Sequence, residues 1–185
     1  MVEIDVAALA SATGGSPTNT WAPARPAWSG LIEWPLRDLF EVRVNRVGEE
    51  SRLVGAIELV SPANKDRPAT RQAFAGKCVG YLRNQVGLIV VDVVTSRLHD
   101  LHRELLELLE LDAPLADWGS PDPALYAVSY RTVPVEPARL DLWPHPLALG
   151  RPMPVVPFWL GFDFVVPVDL EASYLATCEL LRIAV

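Results

Sequence analysis

The chain reads as an α/β fold built on a mixed sheet, and three observations predict it. Phe40-Glu41-Val42-Arg43-Val44-Asn45-Arg46-Val47 alternates apolar and polar residues. Gly48-Glu49-Glu50-Ser51 then supplies a turn before the next apolar run, so the two segments are expected to form a β-hairpin. That next run, Val54-Gly55-Ala56-Ile57-Glu58-Leu59-Val60, is closed by Ser61-Pro62 and has the composition of a buried strand. A second continuous apolar run, Gly87 to Val94, follows a helical stretch. Strand, helix and strand in that order, with apolar strands, predict a crossover unit with a parallel pair and a right-handed connection.

The elements follow in order. Residues up to about Ser29 mix small, polar and Pro-rich sequence with Trp21 and Trp28, and read as an irregular lead-in docked by its aromatics. One domain is expected over residues 30–185. Asp66-Arg67-Pro68 marks a helix start, because Pro is tolerated in the first turn. Ala73, Phe74, Cys78, Tyr81 and Leu82 then recur at helical spacing, with Lys77 on the same stripe. The Lys77 ammonium must therefore reach outward or meet a carboxylate. Arg97 to Leu111 predicts a second helix with Leu98, Leu101, Leu105, Leu108 and Leu109 on the core. His99 and His102 are assigned to its polar surface.

Asp112 to Pro123 is rich in turn residues, and Leu125–Tyr130 and Arg139–Trp143 predict further short strands. From Pro144 to Pro167 six prolines interrupt an apolar stretch with Phe158, Trp159, Phe162 and Phe164, which predicts an extended arm packed across the domain. Asp169 caps a final helix with Leu170, Tyr174, Cys178 and Leu181 on one face.

Composition bounds the function. The chain has 185 residues, half of them apolar, which is enough for a real core. Its 16 basic and 23 acidic residues give a net charge of −7. That balance argues against non-specific attraction to nucleic acid or anionic membrane, though not against a local basic groove. Cys78 and Cys178 lack any Cys-x-x-Cys spacing and are expected to be buried free thiols in a reducing cytoplasm. No run approaches a membrane span, and neither a signal peptide nor an anchor is indicated, so cytoplasmic residence is the expectation.

The residue that carries chemistry is Glu58, an acid in an apolar strand where burying a charge is costly. If residues 48–51 form the hairpin loop, Glu41 falls opposite Glu58. Two like charges at that separation, about 5 Å, repel unless a cation lies between them. Carboxylate oxygens suit Mg²⁺ or Mn²⁺. The alternatives are that Glu41 faces solvent with Arg43 and Asn45, and that Glu58 finds a lysine or a backbone donor. Asp92, the acid of the second apolar run, could cap a loop, pair with a cation or approach the same site near the strand's end, and a structural role is the expectation. His145 stands alone between prolines, so a histidine-based acid–base mechanism has little support.

A hairpin with an acid on each strand, Ile57-Glu58-Leu59-Val60-Ser61-Pro62, a helix bearing Lys77 and Tyr81, and a strand ending near Asp92 resemble the restriction-endonuclease-like PD-(D/E)XK superfamily. Within it the chain resembles uncharacterised bacterial branches in which a Glu-hydrophobe-hydrophobe-Ser-Pro strand precedes a helix with a lysine. Its ending, Leu147-Ala148-Leu149-Gly150 through Val168-Asp169-Leu170-Glu171 to Leu180-Leu181-Arg182-Ile183, resembles the tail of a bacterial domain-of-unknown-function family with an Ile-Glu-Leu-x-Ser-Pro-x-Asn-Lys motif; together these cover roughly residues 30–183. The resemblance implies a restriction-endonuclease-like core of hairpin, crossover helix and parallel strand, followed by the Pro-rich arm and helix. It implies Mg²⁺ or Mn²⁺ held by Glu41 and Glu58. It also implies a lysine that positions or activates water for attack on a phosphodiester, either Lys77 on the helix or Lys65 just past the strand. The superfamily's usual lysine two residues after the second acid is replaced here by Val60, and no Pro-Asp pair precedes the hairpin, although Asp38 lies nearby.

Three functions compete on these residues. One is a Mg²⁺-dependent nuclease or related phosphodiester-directed protein. Another is a catalytically silent copy that binds nucleic acid, a protein partner or a second copy of itself through the Pro-aromatic arm. The last is a small-molecule-binding protein whose buried acids are structural.

Overall fold

The computed structural model describes residues 21–32, 53–111 and 125–184. The predicted strand at 40–47, with Glu41 and Asp38, and the turn-rich stretch beginning at Asp112 lie outside these residues.

The described chain is mixed α and β. Strand β1 (Trp28–Ile32) is followed by β2 (Gly55–Leu59), a 3-10 turn (Pro62–Lys65), α1 (Pro68–Arg83), β3 (Gly87–Asp92) and α2 (Leu101–Leu108). Then come β4 (Tyr126–Val133), β5 (Ala138–Pro146), β6 (Val155–Leu160), β7 (Phe164–Asp169) and α3 (Leu170–Leu181). Five strands form a sheet in the order β1-β5-β4-β3-β2, and β6 and β7 form a separate two-stranded hairpin. Only β2 and β3 run parallel, with Glu58 beside Val90, as the strand-helix-strand reading expects. The other pairs in the sheet are antiparallel.

Each face of the sheet has its own core. Leu88 and Val90 of β3, Tyr126, Val128 and Tyr130 of β4, and Leu140 and Leu142 of β5 point to the side covered by α1 and α2. Ile89, Val91 and Ala127 point to the other side and meet Val156 and Phe158 of β6 and Leu170 of α3. Because β3 is buried on both faces, every residue of its Gly87–Asp92 span is buried.

Helix α1 starts where Pro68 predicts. The Thr70 hydroxyl accepts the Arg67 N–H at 3.1 Å and satisfies one of the donors left open at a helix start. Asp100 caps α2 by accepting the His102 and Arg103 N–H groups. Asp169 caps α3 by accepting the Ala172 N–H at 2.9 Å, as expected.

Five expectations need correction. The run around Glu58 is not a buried strand. Ile57 and Leu59 are exposed: among the described strands β2 ends the sheet order, and the β6–β7 hairpin leaves them uncovered. The lead-in ends in a strand, β1, which pairs with β5 from Trp28 opposite Leu142 to Ile32 opposite Ala138. The second helix is shorter than Arg97–Leu111, and Leu98 precedes it and is exposed, whereas His102 is buried. Pro144 and Pro146 belong to β5. Strand β1 stops pairing at Leu142, so among the described residues the rest of β5 pairs on one side alone and tolerates residues without an N–H. The remaining Pro-rich stretch packs across the sheet as predicted, but as strands rather than an irregular arm. Pro157 faces Pro167 across a hairpin that has no third strand among the described residues. On α3 only Leu170 and Cys178 of the expected face are buried, and Tyr174 and Leu181 are exposed.

Candidate functional site

The candidate site lies where β2 and β3 end and the chain turns into α1. In a parallel pair the side chains of Glu58 and Val90 share a face, and Asp92, two residues beyond Val90, returns to it. Both acids therefore point toward the helices. Each is matched by a lysine.

Lys77, in the third turn of α1, places Nζ 2.7 Å from Glu58 Oε2 and 5.8 Å from the centre of the Phe74 ring. Glu58 is 16% exposed and Lys77 48%, so the pair is open to water on the lysine side. Beside it runs a shallow groove of about 320 Å³ lined by Ala63, Asn64, Thr70, Ala73, Phe74 and Lys77. Of the two possibilities for Lys77, reaching outward or meeting a carboxylate, the structure takes the second.

Lys65 points the other way. Its Nζ lies 2.8 Å from Asp92 Oδ2, and the two side chains are 1% and 0% exposed. Asp92 also accepts the Val94 N–H at 3.1 Å and a hydrogen bond from the Tyr126 hydroxyl. Burial pushes the Asp92 carboxyl above its usual range, and Lys65, the Val94 N–H and Tyr126 pull against it without cancelling that effect. Asp92 thus pairs with a cation and caps the backbone at the end of β3.

The same face carries a polar chain that the periodicity did not reveal. Tyr126, directly across the ladder from Asp92, accepts the His102 N–H on its hydroxyl oxygen at 3.0 Å. His102 Nδ1 lies 2.7 Å from the Tyr130 hydroxyl. Burial lowers the His102 ring to a pKa of about 4, against the opposing pull of Asp100, so the ring is neutral at pH 7.

On the opposite face Asp141 is fully buried. Arg131 donates to its Oδ2 from Nε at 3.1 Å, and Arg139 donates to its Oδ1 from Nε at 2.9 Å. The Arg131 guanidinium lies 3.9 Å from the centre of the Trp159 ring and 5.5 Å from that of Trp143, which fastens the β6–β7 hairpin to the sheet. Burial alone would raise the Asp141 carboxyl, but hydrogen bonds from Arg131, Ser29 and Arg139 together bring it below its ordinary value. The cluster had a signal in the sequence. Leu140-Asp141-Leu142 is a lone acid in an apolar strand, the same feature that singles out Glu58.

Among the described residues no group of three or more His, Cys, Asp or Glu side chains is placed to hold a metal ion. Glu58 is a hard oxygen donor of the type that Mg²⁺ takes, one or two per ion, with water completing the shell. Its Oε2 is engaged by Lys77. Glu41, the other expected ligand, lies outside the described residues. Cys78 and Cys178 are buried free thiols, as expected, and burial drives the Cys78 thiol far above its usual range. No helix among the described residues is long and apolar enough to cross a membrane.

Comparisons with protein-family models, with curated proteins and with solved structures find no match to this chain.

Proposed function

We propose that the protein acts on phosphodiesters with a divalent cation, Mg²⁺ or Mn²⁺, held by Glu58 together with Glu41, and that Lys77 is the lysine of the site. The observation that carries this reading is the 2.7 Å pair of Glu58 and Lys77 at the end of the parallel strands, half open to water beside a groove. The bound cation would neutralise phosphate charge and lower the pKa of a coordinated water. Lys77, held against the carboxylate, would supply a fixed positive charge where an anionic substrate gains charge. Lys65 is less suited to that task, since its ammonium is enclosed against Asp92.

The test is Mn²⁺ binding by titration calorimetry, followed by cleavage assays on single-stranded DNA, duplex DNA and RNA with Mg²⁺ or Mn²⁺. The expected result is metal-dependent cleavage that Glu58→Ala and Glu41→Ala each abolish. Absence of Mn²⁺ binding, or cleavage that survives Glu58→Ala, overturns the reading.

A second reading, a catalytically silent binding protein, is favoured by the carboxy-terminal third. Phe162, Phe164, Tyr174, Leu180 and Leu181 are exposed there, and large apolar side chains left in water are the material of a binding surface.

A further inference from the structure

The pair of Glu58 and Lys77 is assembled across a connection. Glu58 ends a strand, Lys77 lies in the third turn of a helix, and the chain between them passes through the turn Pro62–Lys65. Phe74, Cys78, Val79 and Leu82 seat the helix on the sheet, and how the turn is held sets where along that apolar face the helix starts, a displacement that a rigid helix carries to Lys77.

The turn has little to hold it. Ser61, Pro62, Ala63, Asp66 and Arg67 are exposed and Asn64 is half-buried, so Lys65 is the buried side chain of the stretch 61–67. Asn64 Oδ1 accepts the Ser61 N–H and hydroxyl, both at 2.8 Å, which stiffens the turn internally without attaching it to the sheet. The buried attachment is Lys65 to Asp92 at 2.8 Å; Asp66 also lies 3.5 Å from Arg97, but both of those side chains are open to water and such a pair holds little. Asp92 is itself fixed from three directions: by β3, which carries it, by the Val94 N–H, and by the hydroxyl of Tyr126 on β4, whose oxygen takes the His102 N–H from α2.

Stability alone does not explain this arrangement. A buried ion pair returns about what its desolvation costs, and an apolar pair of the same volume is commonly as stable or more so. What the ion pair adds is a fixed pairing of atoms, because two enclosed opposite charges 2.8 Å apart attract strongly, whereas an apolar contact has no preferred partner atom.

We infer that Lys65 is a positioning residue, whose ion pair with Asp92 locks the Pro62–Lys65 turn to the end of β3 and thereby sets the separation of Glu58 from Lys77. The inference rests on the reading of Glu58 and Lys77 as the working pair, and it assigns Lys65 a role outside the chemistry.

The experiment replaces the ion pair by an apolar one, Lys65→Met with Asp92→Leu, in the full chain. Three quantities are read beside thermal stability: the NOE between the Lys77 Hε and Glu58 Hγ protons, the rate of Lys77 acetylation by acetic anhydride followed by mass spectrometry, and Mn²⁺ affinity. The expected result is a folded protein that loses the NOE and acetylates Lys77 several-fold faster. Its Mn²⁺ binding should fall roughly tenfold, as is typical when a supporting residue behind a ligand is removed. Lys65→Arg, which retains the charge, should restore the NOE and the slow acetylation. A folded double variant with unchanged NOE and acetylation rate overturns the inference. Should the double variant not fold, Asp92→Asn, which keeps the shape and removes the charge, is read by the same two measurements and decides in the same way. If the wild-type protein binds no Mn²⁺, the metal reading fails on its own, and the NOE and acetylation rate still judge the positioning role.

Discussion

Asp141 on β5 stands directly across the ladder from Arg131 on β4, and its carboxylate, with no solvent exposure, takes hydrogen bonds from that arginine and from Arg139. Arg131 in turn lies against Trp159 of the β6–β7 hairpin, so one carboxylate orients the cation that fastens the two sheets. Removing Asp141 leaves a largely buried guanidinium without its counter-charge. Asp141→Ala should cost about 3 kcal/mol or more, the range for breaking one side of a buried pair. Urea denaturation measures it. Because the folded carboxyl is held below its ordinary value of 3.8, the contribution is present above that pH and is lost as pH falls through the lower folded value. A variant within 1 kcal/mol of wild type at pH 7 would show that the arginines are held by something else.

His102 gives stability a pH dependence of its own. The ring has an ordinary pKa of 6.5 and is lowered by burial to about 4. The unfolded chain therefore takes up a proton between those values while the folded chain does not. Stability contributed by the neutral ring is complete above pH 6.5, falls as pH drops through the window, and levels off below about 4. The loss across the window is on the order of 3 kcal/mol. Urea midpoints at pH 7 and pH 5 should differ in the wild type and differ less in His102→Gln, the remainder coming from His145, whose ring burial also holds below its ordinary value. Equal slopes in the two proteins would place the titration elsewhere.

Legibility in the sequence followed the kind of signal involved. The crossover unit was readable because Gly55–Leu59 and Gly87–Asp92 are apolar runs on either side of a Pro-started helix, and period and capping are local properties. Strand β1 was not, because Trp28-Ser29-Gly30-Leu31-Ile32 has no strong period and owes its conformation to the ladder with β5, more than a hundred residues away. The hairpin β6–β7 was hidden by its prolines, which exclude a central strand but not the two-stranded ribbon that the described residues form. At the candidate site, chain position suggested both Lys65 and Lys77. What separates them is a contact with Asp92 across a parallel register, which no local pattern encodes. His102 looked like surface because histidine is polar, and the buried tyrosines at 126 and 130 that it meets lie far along the chain.

Two glycines test how closely the hairpin approaches the sheet. A Cβ on Gly87 would lie 1.8 Å from the carbonyl oxygen of Trp159, a backbone atom that cannot rotate away. A Cβ on Gly55 would lie 2.6 Å from the tip of the Phe158 ring and 2.8 Å from a Leu160 methyl, both side-chain atoms able to shift. Gly87→Ala should therefore cost about 3 kcal/mol, and Gly55→Ala closer to 1, the two ends of the range for overpacking. Near-UV circular dichroism should report altered Trp159 packing in the first variant and little change in the second. The reverse order of stabilities would mean that the hairpin docks farther from β3 than the structure has it.

The two lysines near the site should rank oppositely for stability and for chemistry. Lys77 is half exposed, and its ion pair with Glu58 is screened by water on one side. Pairs of that kind contribute about 0–1 kcal/mol, so Glu58→Gln, which leaves a half-exposed ammonium in water, should leave the urea midpoint nearly unchanged, and Lys77→Met, which leaves the largely buried Glu58 carboxylate without its counter-charge, should cost about 1–2 kcal/mol. Lys65 is enclosed, and Lys65→Met strands the Asp92 carboxylate in the core, where the loss is about 3–5 kcal/mol. Adding Asp92→Leu should recover most of that loss, since the stranded charge and not the missing contact is what destabilises the single variant. Cleavage and Mn²⁺ binding should show the opposite pattern at fixed folded concentration, with the larger defect in Lys77→Met for cleavage and in Glu58→Gln for metal. A Lys77→Met protein that is strongly destabilised, or a Lys65→Met protein that is not, would reverse the assignment of which lysine serves the fold and which serves the site.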